Sequence, residues 1–197
     1  TADRVSNVSV IGSENNVTNT NGAVVFGDKR TLTGADGSVV IGSSQNGTST
    51  SVKNAVAIGS EANVTVAGGV ALGSGSVASV DKGTVGYDAS GTNHNSDTTG
   101  VWKSTANAVS VGDASKGITR QITGVAAGAA DTDAVNVAQL KKVEAKAEAA
   151  EKKHTTVKAG DYATVTEGTN ADGGKEYTVS GPKMESTDGT VKITDKV

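Results

Sequence analysis

Residues 54–60 read Asn54-Ala55-Val56-Ala57-Ile58-Gly59-Ser60. Three apolar residues run into a glycine, and the same phrase recurs along the chain. It is SVIG at 9–12, VVFG at 24–27, VVIG at 39–42, VALG at 70–73 and VSVG at 109–112, with a degenerate copy, GTVG, at 83–86. The glycines fall at 12, 27, 42, 59, 73, 86 and 112, so successive spacings are 15, 15, 17, 14, 13 and 26. A fixed period of this kind is the mark of a stacked repeat and is sought before any other signal. The last gap is about two repeats long and holds the single tryptophan, Trp102.

Within each unit the residue before glycine is apolar, and the residue three before it is Val in five copies. Side chains alternate across a strand, so these two positions share a face. They are read as the core of a roll: Ile11, Val24, Phe26, Val39, Ile41, Val56, Ile58, Val70, Leu72, Val109 and Val111. The position between them holds Val10, Val25, Val40, Ala57, Ala71 and Ser110, small and mostly apolar. A strand apolar on both faces is buried on both faces. One coil covers one face with its own return segment, and the other face needs a second body. The middle set is therefore expected to meet another chain. Glycine after each strand permits a tight turn, and Glu14-Asn15-Asn16, Asp28-Lys29 and Ser43-Ser44-Gln45-Asn46 are turn formers. Coils stacked about 4.8 Å apart make a solenoid. A β-sandwich is the alternative, but its strands usually recur every 8–12 residues or so.

Composition agrees. Hydrophobic residues make up 35% and aromatics 3%, with 26 glycines. Such a chain is either disordered or builds a thin core from small side chains repeated many times; the periodicity argues for the second. A net charge of −3 offers no electrostatic footprint for nucleic acid. Without cysteine there is no disulfide framework and no thiol chemistry. No catalytic, cofactor-binding or metal-binding constellation is evident. His94 is read as a solvated loop residue and His154 as lying on a helix seam or its rim. A left-handed β-helix acyltransferase would repeat about every six residues, and this period is far longer.

The units at 54–60 and 69–74 resemble the head repeats of trimeric autotransporter adhesins, the YadA-like heads of Gram-negative bacteria. Residues 120–140, RQITGVAAGAADTDAVNVAQL, closely resemble the neck of that family, with Gly124 where necks usually have Asn. Next comes a helix with apolar residues at 3,4 spacing, Leu140, Val143, Ala147 and Ala150, read as a coiled-coil seam. Asp131 or Thr132 is expected to cap it. Glu144, Lys146, Glu148, Glu151 and Lys152 fill its outer face.

The resemblance implies a mainly β chain: a trimeric, left-handed parallel β-roll head over 1–113 with an insertion at 87–105, a neck over 114–138, a short trimeric coiled coil over 139–154 and a β-rich connector over 155–197. In the insertion Trp102 and Tyr87 are expected to fold back and plug the roll. Alternatively, the loop is an exposed contact for a host ligand. In the connector, runs at 156–159, 162–166, 176–180 and 190–193 are expected strands, with Asp172-Gly173-Gly174 as a hairpin turn. The function implied is attachment to host cells or extracellular matrix by a homotrimer. The alternatives are a non-binding spacer that projects a distal adhesive domain, or head-mediated autoaggregation. The expected partner is a host receptor or matrix protein, with no nucleic acid and no cofactor. The chain is expected to be part of a longer exported protein, held to the outer membrane only by a C-terminal anchor outside this sequence.

Overall fold

The computed structural model describes residues 2–151, 156–181, 184–186, 188–189 and 191–193. It divides into two units, 1–136 and 137–197.

The first unit is a parallel solenoid. Its front sheet contains the repeated phrase as strands β2 (Ser9–Ile11), β4 (Val24–Phe26), β6 (Val39–Ile41), β8 (Val56–Ile58), β10 (Val70–Leu72) and β12 (Val109–Ser110). They lie in the order β12-β10-β8-β6-β4-β2, so each coil pairs with the next. Register is exact from coil to coil: Val10 sits opposite Val25, Val25 opposite Val40, Val40 opposite Ala57, and Ala57 opposite Ala71. The return segments are β1 (Ala2–Asp3), β3 (Asn16–Thr18), β5 (Arg30–Thr33) and β7 (Thr48–Thr50), followed by β9 (Asn63–Val64) and β11 (Val77–Ala78). They form a four-stranded and a two-stranded parallel sheet.

The core lies between front and return strands and is one side chain deep from each side. Val25, Val40, Ala57 and Ala71 are fully buried there, facing Val17, Leu32, Thr50, Val64 and Ala78. This exchanges the two faces expected from sequence. The middle residues, expected to meet another chain, fill the roll, although Val10 and Ser110 at its ends are less covered. The residues expected as core point outward. Ile11, Phe26, Ile41, Ile58, Leu72 and Val109 are exposed, and Val24, Val39, Val56, Val70 and Val111 are half-buried. The reason is width. Front and return strands stand so close that Val and Ala fill the space, and Phe26 has no room inside.

Arg30, Thr20, Ser38, Ser44, Thr50 and Ser76 are buried polar residues of the roll, and the half-buried Glu61 lies at its edge. Arg30 is 1% exposed, and its Nη2 donates to the Ala62 carbonyl at 2.9 Å, past the intervening strand β7. Its Nε and Nη1 have no hydrogen-bond partner among the described residues. Glu61 accepts from the Gln45 backbone N–H, from Thr48 Oγ1 at 2.8 Å and from Ser44 Oγ at 2.9 Å. The Gln45 N–H, ahead of the Thr48 hydroxyl, holds its pKa down to about 2.

The repeat breaks where GTVG was read as a further coil. Strand β10 pairs directly with β12. Residues 83–86 instead pair back on the insertion: Gly83 N–H donates to Ser104 O and Gly86 N–H to Trp102 O, each at 2.7 Å, with an antiparallel bridge between Val85 and Lys103. The gap of 26 thus holds a hairpin excursion from the roll.

The second unit contains the helix α1 (Val137–Glu151) and two hairpins. One joins β13 (Thr164–Thr169) to β14 (Lys175–Ser180), and the other joins β15 (Met184–Ser186) to β16 (Val191–Ile193). The first turn includes Asp172-Gly173-Gly174 as expected, and Asn170 closes it by accepting from Gly174 N at 2.7 Å. Residues 156–159, expected as a strand, are irregular, and β15 was missed. Lys152, His154 and Thr190 lie outside the described residues.

Stacking depends on the repeat glycines. A methyl group on Gly42 would lie 2.5 Å from the Gly59 carbonyl carbon, and the Gly42 φ of 121° is foreign to other residues. Gly22 also has a positive φ, 70°, but nothing lies within 4 Å of a Cβ there. Gly42→Ala is expected to cost about 3 kcal/mol, combining strain with a clash, and Gly22→Ala about 1 kcal/mol. Urea unfolding of the two variants compares them; equal losses would contradict close coil-to-coil contact.

Candidate functional site

Three features of the chain are built to meet something else. The first is the outward row of the front sheet. Its parallel ladder brings Phe26, Ile41, Ile58 and Leu72 into register as one apolar strip, each about two-fifths exposed. Scattered exposed apolar residues are ordinary, but a contiguous strip marks a contact surface.

The second is the insertion, whose fold is local and polar. Asp88 accepts from Ser90 N and Ser90 Oγ, both at 2.8 Å, and Asp97 accepts from Thr99 N at 2.8 Å, Thr99 Oγ1 at 2.7 Å and Trp102 N at 2.7 Å. Short Asp side chains commonly close such turns on the backbone two residues on. His94 Nε2 lies 2.8 Å from Asp88 Oδ2, and its ring stacks on the Trp102 indole with centroids 4.3 Å apart and planes 6° from parallel. His94 is therefore a structural centre of the loop, largely covered, where sequence suggested a solvated residue. Trp102 and Tyr87 do not plug the roll: Tyr87 is 89% exposed, and Trp102 packs within its own loop and stays 39% exposed. The His94 contact, then the Ser90 N–H, hold the Asp88 pKa down to about 2, and the Thr99 hydroxyl and N–H do the same for Asp97.

The third is the segment between roll and helix. Arg120 clamps the last coils through Ser74 O at 2.7 Å, Ser76 Oγ at 3.1 Å and Val111 O at 2.5 Å. Asp133 Oδ2 accepts from Ala129 N at 2.9 Å and Ala130 N at 3.0 Å, which lowers its pKa, Ala130 contributing most. Gly124 has a φ of 74°, a region open to Gly and Asn alike, which accounts for the exchange between the two. The helix begins at Val137, so Asp131 and Thr132 are too early to cap it; they lie in the turn that Asp133 closes. Leu140, Val143, Ala147 and Ala150 are all exposed, and no residue of the helix is buried within the chain. Arg120 and Asp133 were not singled out by sequence reasoning, although Asp side chains are known to bond backbone groups three or four residues earlier.

These features define a modular class of protein: a parallel β-solenoid, a loop that interrupts it, and a helix whose seam is left exposed by the described residues. Residues 121–162 match the family described as the coiled stalk of trimeric autotransporter adhesin. Over 72 residues, 36% of the chain, it is 61% identical to the autotransporter adhesin BadA of Bartonella henselae, and over 71 residues, 35% of the chain, 56% identical to the trimeric autotransporter adhesin AtaA of Acinetobacter sp. (strain Tol 5). The match spans only 2% of the length of each relative. Among solved structures, the C-terminal YadA-like domain of a Burkholderia pseudomallei protein aligns with 53% of this chain and 48% of its own, at 37% identity and a TM-score of 0.43. The matched segments are similar to those of trimeric autotransporter adhesins.

The acid response of the insertion follows from its carboxylates. Their folded pKa values lie below the ordinary 3.8, so their stabilisation is present above that value and is lost as pH falls through about 2. Trp102, the single tryptophan, reports on the loop. Its emission is expected to shift between roughly pH 4 and 2 as these carboxylates protonate. In Asp97→Asn the shift is expected to be present already at pH 7. A flat emission profile down to pH 2 contradicts this account.

Proposed function

We propose that three copies of this chain associate into a surface-displayed adhesin of a Gram-negative bacterium, and that the trimer attaches to host cells or extracellular matrix. The observation that carries the reading is the outward apolar strip, Phe26, Ile41, Ile58 and Leu72, on a roll whose own interior is already full. Packing the strips of three rolls together removes them from water. The same association supplies partners for Leu140, Val143, Ala147 and Ala150, since a helix of 15 residues is marginal in water alone. The names of the relatives, trimeric autotransporter adhesins, point the same way and suggest a non-enzymatic structural role. Among the described residues no helix is long and apolar enough to cross a membrane. Threefold display lets weak identical sites act together, so avidity exceeds single-site affinity.

The domain boundaries belong to this reading: a head ending near residue 113, a neck to 138, a coiled coil beyond it and a connector from 155. The trimer face is the outward row, with Val24, Val39, Val56, Val70 and Val109 at its side.

Sedimentation tests the assembly. The native chain is expected to sediment as three 19.4 kDa chains. Phe26→Lys combined with Ile58→Lys is expected to yield smaller, folded species, because charge enters the interface only. Ala57→Lys is expected to unfold the roll instead, since burying an unpaired ammonium costs several kcal/mol. A double outward variant that remains trimeric would refute the assigned face. For adhesion, the native chain is expected to be captured by at least one member of a panel of matrix proteins and host cells. Silence across a broad panel favours the spacer.

A further inference from the structure

The insertion has an unused binding surface. One face of the Trp102 indole is covered by His94. The rest borders an open cavity of about 660 Å³, whose walls include Asn93, Ser96, Asp97 and Asp131. A second cavity, of about 430 Å³, is lined by Val101, Trp102 and Asp131 without His94. The rim is chemically mixed. The indole N–H, the Ser96 hydroxyl and the Asp131 carboxylate have no hydrogen-bond partner among the described residues. The Asp97 oxygens, by contrast, are taken up inside the loop. The site thus presents a flat aromatic surface, a free donor, a hydroxyl that works both ways and a free acceptor.

We propose that this surface binds a neutral saccharide. A pyranose has an apolar C–H face that lies on an indole, and hydroxyl groups that both donate and accept along one edge. Its hydroxyls donate to Asp131 and accept from the Trp102 N–H, and the Ser96 hydroxyl serves either role. A simple cation would use the ring and the carboxylate but leave the indole N–H without an acceptor. Acidic sugars are disfavoured, because the carboxylates Asp88, Asp97 and Asp131 outnumber the loop's own ammonium, Lys103, which donates to Asn95 O at 2.8 Å. The cavity sits on an excursion from the roll, so the scaffold stays rigid while the loop supplies specificity. The inference deepens the adhesive reading above and rests on it, giving the ligand a chemical class.

The single tryptophan makes the test direct. The full chain is titrated with neutral galactose- and N-acetylglucosamine-containing oligosaccharides, with sialylated and sulfated ones, and with tetramethylammonium, while Trp102 emission is followed. At least one neutral oligosaccharide is expected to give a saturable change. Asp131→Asn, at an exposed carboxylate with no partner, is expected to keep the free emission spectrum and to bind that sugar about tenfold more weakly. Trp102→Phe, read on a glycan array, is expected to lose the signal. Three results overturn the proposal: no neutral sugar binds, only acidic sugars or tetramethylammonium bind, or Asp131→Asn leaves neutral-sugar affinity unchanged. Capture on the matrix and cell panel is measured in parallel. Capture without any sugar binding removes this inference and leaves adhesion standing, whereas sugar binding without capture by matrix or cells counts against the attachment reading alone.

Discussion

The roll depends on how little room separates its front and return strands. The interior accepts one Val or Ala from the front and, Arg30 apart, one residue of Leu size or smaller from the back. Such a core is thin, and each fully buried Val contributes only about 1.5–3 kcal/mol. Stability therefore comes from repetition. The same contact is made coil after coil in fixed register, and each backbone strand is hydrogen-bonded to the next. The repeat glycines serve the same constraint, because at that spacing even a methyl group on the turn strikes the coil above.

The narrow interior also dictates what faces outward. Large apolar residues such as Phe26 and Ile58 have nowhere to go inside and are placed on the outer face of the same strands. The roll thus acquires an apolar exterior as a by-product of its own geometry. A chain with this property must associate, bind or aggregate. The exact alignment of the strip favours ordered association, because identical copies present identical strips.

Much of this was legible in the sequence. The period near 15 and the glycine after each apolar run pointed to a parallel solenoid, and the 120–140 segment resembled the family whose stalk description matches 121–162. The inward and outward faces were not legible by alternation alone. Period two says that Val56 and Ile58 share a face and Ala57 takes the other, but both sets are apolar, so it does not say which is inside. Size held the missing signal: the middle position never exceeds Val, whereas the flanking position admits Phe26. The insertion was harder. Its structure comes from Asp88 and Asp97 closing turns on nearby backbone, and from a His94–Trp102 stack that no periodicity announces. The GTVG copy misled because a local pattern matched while its hydrogen bonds went to Trp102 and Ser104 instead of to a neighbouring coil.

Arg30 gives the solenoid a property that its repeat alone does not have. Stacked repeats ordinarily couple only to their immediate neighbours, so they can fray from an end one rung at a time. The Arg30 guanidinium reaches past β7 to the Ala62 carbonyl, and it keeps its charge at any physiological pH. Peeling away the coil that carries Ala62 would leave that charge enclosed with one fewer acceptor. The middle of the roll is thereby coupled beyond its nearest-neighbour coils.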